Sequence, residues 1–170
     1  MKMMFTLKTL VSMGQVSVDP LTLLTYGDMN ASQDSLGYIY ISQGDGSKAV
    51  RLHSLLLPEA TMVDHIDRNP ANNCYANLRS CTKAENTINS KLRSDNTTGY
   101  RGVSYHKASG SYQARINIVR KDKNVRLNLG LYLTAEAAAL VYNAAARRYH
   151  GEFAFINQVN KNETLTKDSI

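Results

Sequence analysis

The sequence contains few of the residues that define several protein classes. Its 170 residues include two cysteines, three prolines and no tryptophan. Cys74 and Cys81 are too few for a four-thiolate zinc site or a disulfide framework, so we expect free thiols in a reducing compartment. No stretch approaches the roughly 18 apolar residues of a membrane span. Lys8 interrupts the apolar start and no small-residue cleavage site follows, so the sequence predicts a cytoplasmic protein that does not bind membranes.

Acidic residues are scarce in one part of the chain. Residues 99–160 carry nine Lys and Arg against three Asp and Glu, whereas residues 1–98 carry nine of each kind. The formal charge of +6 therefore lies in a C-terminal block, where we expect a polyanion such as nucleic acid to bind. Hydrophobic residues make up 43% of the chain, which is enough for a folded core.

The N-terminal half has a mixed pattern. Residues 1–36 show weak periodicity and form an N-terminal segment of unclear role. From Gly37, GYIYIS predicts a strand and AVRLHSLLL a returning strand. A loop rich in Asn and Asp spans residues 64–77, and a short helix follows in which Thr82 and Glu85 form a capping box. Residues 91–98 are polar and predict a linker.

Beyond residue 99 the apolar residues alternate with polar ones. SYQARINI and VRLNLG each have a period of two, which indicates strands, and the basic segment VRKDKN between them predicts a hairpin turn. Thr134 predicts the start of an alanine-rich helix that ends near His150, before Gly151. With YRGV before them, these segments predict a three-stranded antiparallel sheet packed on one helix. The polar face of that sheet would carry Gln113, Arg115, Asn117, Arg126 and Asn128.

Those side chains are of the types that read base edges and phosphates in a major groove. The alternative is an ordinary solvated sheet face, for which periodicity alone is equally good evidence. YRGV, SYQARI, LG, TAEAAALVYNAAARRYHG and FAFIN together resemble an APETALA2/ERF-type DNA-binding domain over residues 99–157. Residues 158–170 are left as a tail.

The resemblance implies that this sheet docks in the major groove of double-stranded DNA. Its contact positions fall on Arg101, Ser104, His106, Arg115, Asn117, Arg126 and Asn128. Plant members carry Arg or Trp at several positions that are Ser104, Ala108 and Asn128 here. The target sequence of the plant domains therefore does not carry over.

The segment VDHIDRNPANNCYANLRSCTKAEN combines the chemistry that phosphodiester hydrolysis needs. A histidine can act as the base that activates water, and Asp and Asn oxygens suit a hard cation such as Mg²⁺. Asp64 and His65 are adjacent, Asn77 follows His65 by twelve residues and Asn86 by twenty-one. An Asp-His pair or an Asn-rich loop alone is more often structural.

This spacing resembles the HNH endonucleases of the phage and intron-homing type over residues 37–90. The resemblance implies that Asp64 and Asn86 bind one Mg²⁺ or Mn²⁺, that His65 is the general base, and that Asn77 braces the loop holding His65. His53 corresponds to a structural position. Arg68, Lys91 and Arg93 are candidates for holding the DNA backbone.

Together the two resemblances imply an α+β chain, with a ββα-metal HNH nuclease module at residues 37–90 followed by the sheet-and-helix DNA-binding domain. The expected activity is that of a homing-type DNA endonuclease, phage-encoded and acting in the host cytoplasm, with no obligate protein partner. The main alternative is a DNA-binding regulator without catalysis. A second alternative is a protein that binds or cleaves RNA.

Overall fold

The computed structural model describes residues 5–44, 46–120 and 123–159. The chain divides between Asn89 and Ser90 into two compact units, called unit 1 and unit 2 below. Within the described ranges, the longest helix is too short and too polar to cross a bilayer.

The described part of unit 1 contains four α-helices and six strands. The helices are α1 (Leu7–Ser12), α2 (Pro20–Tyr26), α3 (Leu52–Leu56) and α4 (Lys83–Asn89). The strands are β1 (Phe5–Thr6), β2 (Asn30–Gln33), β3 (Ile39–Ile41), β4 (Val50–Arg51), β5 (Val63–His65) and β6 (Leu78–Ser80). Strands β1 to β4 form one antiparallel sheet in chain order, and β5 pairs with β6 in a second.

One apolar core joins the N-terminal segment to the rest of unit 1. Leu7 and Leu10 of α1 are buried in the same cluster as Ile39, Leu52 and Leu78. Burial of each such side chain contributes about 1.5–3 kcal/mol. The first 36 residues, whose role the sequence left open, therefore help to stabilise the unit that carries the Asp-His pair.

The prediction of a returning strand at AVRLHSLLL was wrong over most of its length. Only Val50–Arg51 pairs with β3, and the chain then turns into α3. Leu52 and Leu56 lie one helical turn apart and bury the same face of α3 in the core. A short apolar run does not distinguish a buried strand from a buried helical face, which explains the error.

The ββα arrangement instead comprises β5, β6 and α4. The start of the segment predicted as an Asn-rich loop is extended, because Asp64 pairs with Arg79 and His65 with Leu78, whereas its end at Tyr75–Asn77 forms a 3-10 turn. The predicted capping box is confirmed: the backbone N–H of Thr82 donates to the Glu85 carboxylate at 2.8 Å, and the Glu85 N–H donates to the Thr82 hydroxyl at 3.3 Å.

Unit 2 has the predicted sheet and helix. Its elements are β7 (Val103–His106), β8 (Ser111–Arg120), β9 (Lys123–Tyr132) and α5 (Ala135–His150). The three strands are antiparallel in chain order, and α5 packs on one face of the sheet through Ala138, Ala139, Tyr142 and Ala146. Thr134 caps α5 by accepting from the Ala137 N–H at 3.1 Å, as predicted. The predicted VRKDKN turn includes residues 121–122, and the predicted tail at 158–170 includes residues 160–170, so both fall partly outside the described residues.

Buried amides hold the segment around Asn157 against α5 and against the segment that precedes β7. Asn157 accepts from the Arg101 backbone N–H at 2.7 Å and donates to the Arg101 carbonyl at 3.1 Å. Asn143 of α5 donates to the Asn157 carbonyl and accepts from its N–H, both at 2.8 Å. Residues 90–100, most of them predicted to be a linker, are hydrogen-bonded within unit 2, since Asn96 accepts from the Gly99 N–H at 2.7 Å.

Gly102 permits the close contact between the YRGV segment and α5. Its φ is +74°, and a Cβ atom there would lie 2.1 Å from the Tyr142 ring and 2.5 Å from the Arg115 carbonyl oxygen. Gly99 has a φ of +72° with nothing within 4 Å of its Cβ position. The two glycines therefore have similar positive φ values and differ in the space around them.

This pair gives a matched test of packing in unit 2. Gly99→Ala should reduce the free energy of unfolding by about 1–2 kcal/mol, the usual cost of a left-handed residue. Gly102→Ala should cost at least about 2 kcal/mol more, because the Tyr142 ring and the sheet must also move apart. Urea denaturation measures both values, and amide hydrogen exchange assigns the loss to unit 2. Equal effects of the two substitutions would contradict the packing described here.

Candidate functional site

Asp64 is a buried carboxylate at the centre of the ββα arrangement. Its side chain is 5% exposed, and Arg79, its cross-strand neighbour on β6, donates to Oδ2 from Nε at 2.9 Å and from Nη2 at 2.7 Å. Opposed residues of an antiparallel pair project from the same face, which explains why the two side chains meet. A buried charge requires such compensation, since an unpaired one costs several kcal/mol.

The helix α4 supplies a second partner for Asp64. The side-chain amide of Asn89 donates to both Asp64 oxygens at 3.0 Å and to the His65 carbonyl at 2.9 Å. Asn86, the predicted metal ligand, lies one turn earlier on the same face of α4, and its Nδ2 contacts the Met62 sulfur at 3.5 Å. The amide in direct contact with Asp64 is therefore that of Asn89, a residue that the sequence reasoning missed.

His65 is held beside Asp64 by a second buried amide. Its Nε2 lies 3.4 Å from Oδ1 of Asn73, a residue with no exposed surface. The Asn73 amide nitrogen donates to the Pro70 carbonyl at 3.2 Å, which directs Oδ1 toward the imidazole. Because that oxygen can only accept, the contact favours the tautomer in which Nε2 carries the proton and Nδ1 keeps the lone pair.

The surroundings of His65 favour its neutral form. Burial lowers the pKa of His65, and this effect outweighs the hydrogen bond with Asn73 and the charges of Asp67 and Asp64, which raise it. A pKa below the ordinary value leaves the imidazole unprotonated near neutral pH, as a general base requires.

Asn77 connects the two ends of the loop that follows His65. Its side chain accepts from the Asp67 N–H at 3.0 Å and donates to the Asp67 carboxylate at 2.9 Å and to the Asn72 carbonyl at 2.8 Å. Burial raises the pKa of Asp67. Hydrogen bonds from Asn72, the Asn69 backbone and Asn77 together lower this pKa by more than burial raises it, so the net shift is downward. This geometry supports the bracing role implied for Asn77.

His53 lies against His65. The two rings meet edge to face with centroids 5.2 Å apart, and Tyr38 contacts both. Burial, reinforced by His65 and Arg51, lowers the pKa of His53 to about 4. A buried neutral ring of this kind packs against the site and positions His65.

The other predicted backbone contacts of this region lie at turns and on exposed segments. Arg68 has a left-handed φ of +64° in the turn after His65, where its N–H donates to the His65 carbonyl at 2.8 Å. Lys91 is exposed, and Arg93 forms an exposed ion pair with Asp95 at 2.9 Å. An exposed pair of this type contributes little to stability, so Arg93 can exchange its partner at low cost.

The structure gathers most of the predicted DNA-contacting residues on one face of the unit 2 sheet. Ser104 is opposite Gln113, Arg115 is opposite Asn128 and Asn117 is opposite Arg126, and His106 is opposite Ser111 on the same face. Helix α5 covers the other face. These pairs, called the sheet strip below, are polar; a register shift lies between Ala114 and Arg115, and the exposed Leu131 is opposite Gln113 on β9.

Hydrogen bonds within the sheet strip order its two arginines. Arg115 donates from Nη2 to the Ser104 hydroxyl at 2.9 Å, and Arg126 donates from Nε to Asn117 Oδ1 at 3.1 Å. Each bond involves one edge of the guanidinium, which has five N–H donors in total. Preordered arginines lose less side-chain entropy when they bind a base or phosphate.

Arg101 does not join the sheet strip. Its guanidinium donates to the carbonyls of Ser90 and Lys91, the latter at 3.1 Å, and lies 4.5 Å above the Phe155 ring. The resemblance implied a DNA contact at this position, whereas the structure shows a side chain that ties the start of unit 2 to its end.

The donor set around Asp64 fits a hard divalent cation. Within the described residues no three His, Cys, Asp or Glu side chains cluster, so the available ligands are the Asp64 carboxylate and amide oxygens of α4. Among those residues, no donor contacts the side-chain oxygen of Asn86. Carboxylate and amide oxygens are ligands of Mg²⁺ and Mn²⁺, and Mg²⁺ commonly keeps several waters.

Two signals could have identified the missed residues. Asn86 and Asn89 are three residues apart, a spacing that places both on one face of a helix. Asn72 and Asn73 form a doublet in the loop, but only the fold shows that Asn73 is directed inward, because its backbone N–H donates to the Ser17 carbonyl, 56 residues earlier in the chain, at 2.7 Å.

Comparison with known proteins agrees with this geometry. A family model of HNH endonucleases matches residues 56–88, which include β5, β6 and most of α4. Protein 3.8 of Escherichia phage T7 is 34% identical over 98 residues, which cover 58% of this chain and 77% of that protein. An HNH endonuclease of Acanthamoeba polyphaga mimivirus is 36% identical over 104 residues, which cover 61% of this chain and 51% of the viral protein.

A plant protein matches over a shorter segment. The rice dehydration-responsive element-binding protein 2E is 47% identical over 58 residues, which cover 34% of this chain and 17% of the rice protein. Residues 56–88, which contain the Asp-His pair and most of the ββα arrangement, match the HNH endonuclease family, and the chain belongs to the same family as protein 3.8 of phage T7.

Proposed function

We propose that this protein is a site-specific DNA endonuclease of the homing type, in which unit 1 cuts and unit 2 reads the sequence. The observation that carries the proposal is the adjacency of Asp64 and His65 on β5, with Asp64 bound by the Asn89 amide of α4. A candidate cation ligand and a neutral base are therefore consecutive residues of one strand.

In this proposal Asp64 and Asn86 hold one Mg²⁺ or Mn²⁺, with Asn89 and Arg79 orienting the Asp64 carboxylate. The cation supplies Lewis-acid stabilisation of the negative charge that develops on the phosphate and on the leaving oxygen. His65 removes a proton from the attacking water, whose oxygen forms the new bond to phosphorus as the bond to the leaving oxygen breaks. Asn73 and Asn77 hold His65 and its loop in place for this step.

Unit 2 supplies affinity and sequence choice in the same proposal. The sheet strip presents Arg, Asn and Gln side chains, which hydrogen-bond to guanine and adenine edges in a major groove. The net positive charge of residues 99–160 attracts the DNA backbone without regard to sequence. The match to the rice element-binding protein over 58 residues supports this role.

We assign the proposed endonuclease to the homing type because, in this proposal, its cleavage site carries no sequence-reading residues of its own and the sheet of unit 2 would select the DNA sequence. The matches to a phage protein and a giant-virus endonuclease are consistent with a mobile element that cuts one locus. Mapping cleavage on both strands of DNA from the native locus tests this type. Cuts at one sequence are expected, and cuts scattered along the DNA would contradict it.

A DNA-binding regulator without catalysis is the second candidate, favoured by the plant matches alone. The presence of Asp64, His65, Asn77 and Asn86 together favours the endonuclease, because residues under no catalytic requirement tend to be lost one by one.

The first prediction separates the two candidates. Purified protein should cleave plasmid or phage DNA with Mg²⁺, and chelation of the cation should stop cleavage. His65→Ala should reduce cleavage at least about a hundredfold, the usual contribution of a general base, while DNA binding in a mobility-shift assay stays unchanged. Equal cleavage by His65→Ala and the wild type would contradict the mechanism.

The two asparagines of α4 give a matched pair for the second prediction. Asn86→Ala should weaken cleavage at low Mg²⁺, and higher Mg²⁺ should restore part of it. Asn89→Ala should lower the free energy of unfolding by about 2–3 kcal/mol, because the buried Asp64 loses hydrogen bonds to both oxygens. Cleavage at several Mg²⁺ concentrations and urea denaturation measure the two effects. If Asn89→Ala shows the Mg²⁺ dependence instead, the ligand is Asn89.

The third prediction concerns the sheet strip. Arg115→Ala and Arg126→Ala should each cost about 1–3 kcal/mol of specific DNA binding if each reads a guanine. Arg147→Ala is the control, since Arg147 is an exposed base on α5, which covers the opposite face of the sheet. Fluorescence anisotropy with a duplex from the native locus measures all three. If both sheet variants bind the duplex with unchanged affinity, the sheet strip is a solvent-exposed surface that does not contact DNA.

A further inference from the structure

We propose that Arg79 makes divalent-cation binding at Asp64 depend on DNA, by compensating the Asp64 charge while DNA is absent. The inference rests on the proposed function, in which Asp64 is a cation ligand. Arg79 is a positioning residue in this scheme, because it acts through the Asp64 carboxylate.

The charge at the site is already balanced without a cation. Arg79 is 12% exposed and donates two hydrogen bonds to Oδ2 of Asp64, at 2.7 and 2.9 Å. Asn89, the α4 side chain that contacts Asp64, is neutral, as is Asn86 one turn earlier. The Glu85 carboxylate of α4 also interacts with the Arg79 charge, but it is bound by the Thr82 N–H and hydroxyl in the capping box. Among the described residues, Asp64 is therefore the carboxylate that Arg79 binds directly, and one guanidinium matches its charge.

No other carboxylate in the loop is available to replace that charge. The Asp67 carboxylate is bound by the amides of Asn72 and Asn77 and by the Asn69 N–H, at 2.8–2.9 Å. A dication that reaches Asp64 therefore meets an ion pair with no net charge, in which the positive Arg79 guanidinium lies close to the carboxylate. Coulomb repulsion between the dication and the guanidinium weakens binding, most strongly in a site shielded from water.

A DNA phosphate reverses this balance. Its negative charge interacts favourably with both the dication and the guanidinium, so the site can hold both positive charges together with Asp64. Cation affinity then rises when DNA binds, and by thermodynamic reciprocity DNA affinity rises when the cation binds. The consequence is a protein that loads its cation at the DNA.

Binding of Mn²⁺, followed by the loss of the free-ion signal in electron paramagnetic resonance, tests the proposal without measuring activity. The wild type should bind Mn²⁺ weakly when alone and at least tenfold more tightly with a short DNA duplex. His65→Ala in the same experiment prevents cleavage of the duplex. Asp64→Asn with the duplex measures the Mn²⁺ that DNA holds by itself.

Arg79→Gln should bind Mn²⁺ at least tenfold more tightly than the wild type in the absence of DNA, and DNA should add little further. Lys83→Gln is the matched control, since it removes one positive charge from an exposed position on α4. Equal Mn²⁺ affinity of Arg79→Gln and the wild type without DNA would overturn the proposal.

Two further outcomes are separable. Tight Mn²⁺ binding by the wild type without DNA would overturn the proposal even if Arg79→Gln does not fold. If the wild type binds no more Mn²⁺ than Asp64→Asn does, with or without DNA, then Asp64 is not a cation ligand. This result would contradict the proposed function itself.

Discussion

The buried carboxylate of Asp64 is the constraint around which unit 1 is organised. A charge that is 5% exposed must be neutralised and hydrogen-bonded, or the fold loses several kcal/mol. Arg79 meets this requirement from β6 and Asn89 from α4, so one side chain links both strands and the helix. The three elements are short, with two strands of three residues and a helix of seven. Their mutual position therefore depends more on these polar contacts than on their own backbone hydrogen bonds.

Amides rather than charges hold the rest of the site. Asn73 orients His65, Asn77 closes the loop, and Asn89 connects the backbone of β5 to α4. An amide both donates and accepts, so it can join two backbone segments without the desolvation cost of an ion. Loop residues 71 to 75 are further held by the N-terminal segment, through Ser17 and through Asp19, which accepts from the Tyr75 N–H at 2.6 Å. The first part of the chain therefore supports the loop that follows His65.

The sequence predicted unit 2 better than unit 1, for a physical reason. Alternation in SYQARINI and the Thr134 cap are local signals, and the strands, register faces and helix follow them. Unit 1 is made of short elements whose partners lie far away in the chain. The helix at Leu52–Leu56, the strand at Asp64 and the inward direction of Asn73 all depend on such contacts. Spacing identified the Asp-His pair, but the amide that contacts Asp64 and the arginine that balances it became visible only with the cross-strand register. For Arg101 the sequence motif implied a contact with DNA. In the structure its guanidinium instead donates to the carbonyls of Ser90 and Lys91.

The distribution of charge gives the proposed function its physical logic. Residues 1–98 carry equal numbers of acidic and basic side chains, and the net charge of +6 comes from residues 99–160. A nearly neutral cutting unit has little electrostatic affinity for DNA of any sequence, so its residence on DNA is set by the unit that is charged. Sequence choice must then arise where affinity arises, in the polar face of the sheet. If a cation also reaches Asp64 only with a phosphate present, a second requirement is added at the site itself. Cleavage would then require both a held duplex and a loaded cation, which restricts it to DNA that unit 2 retains.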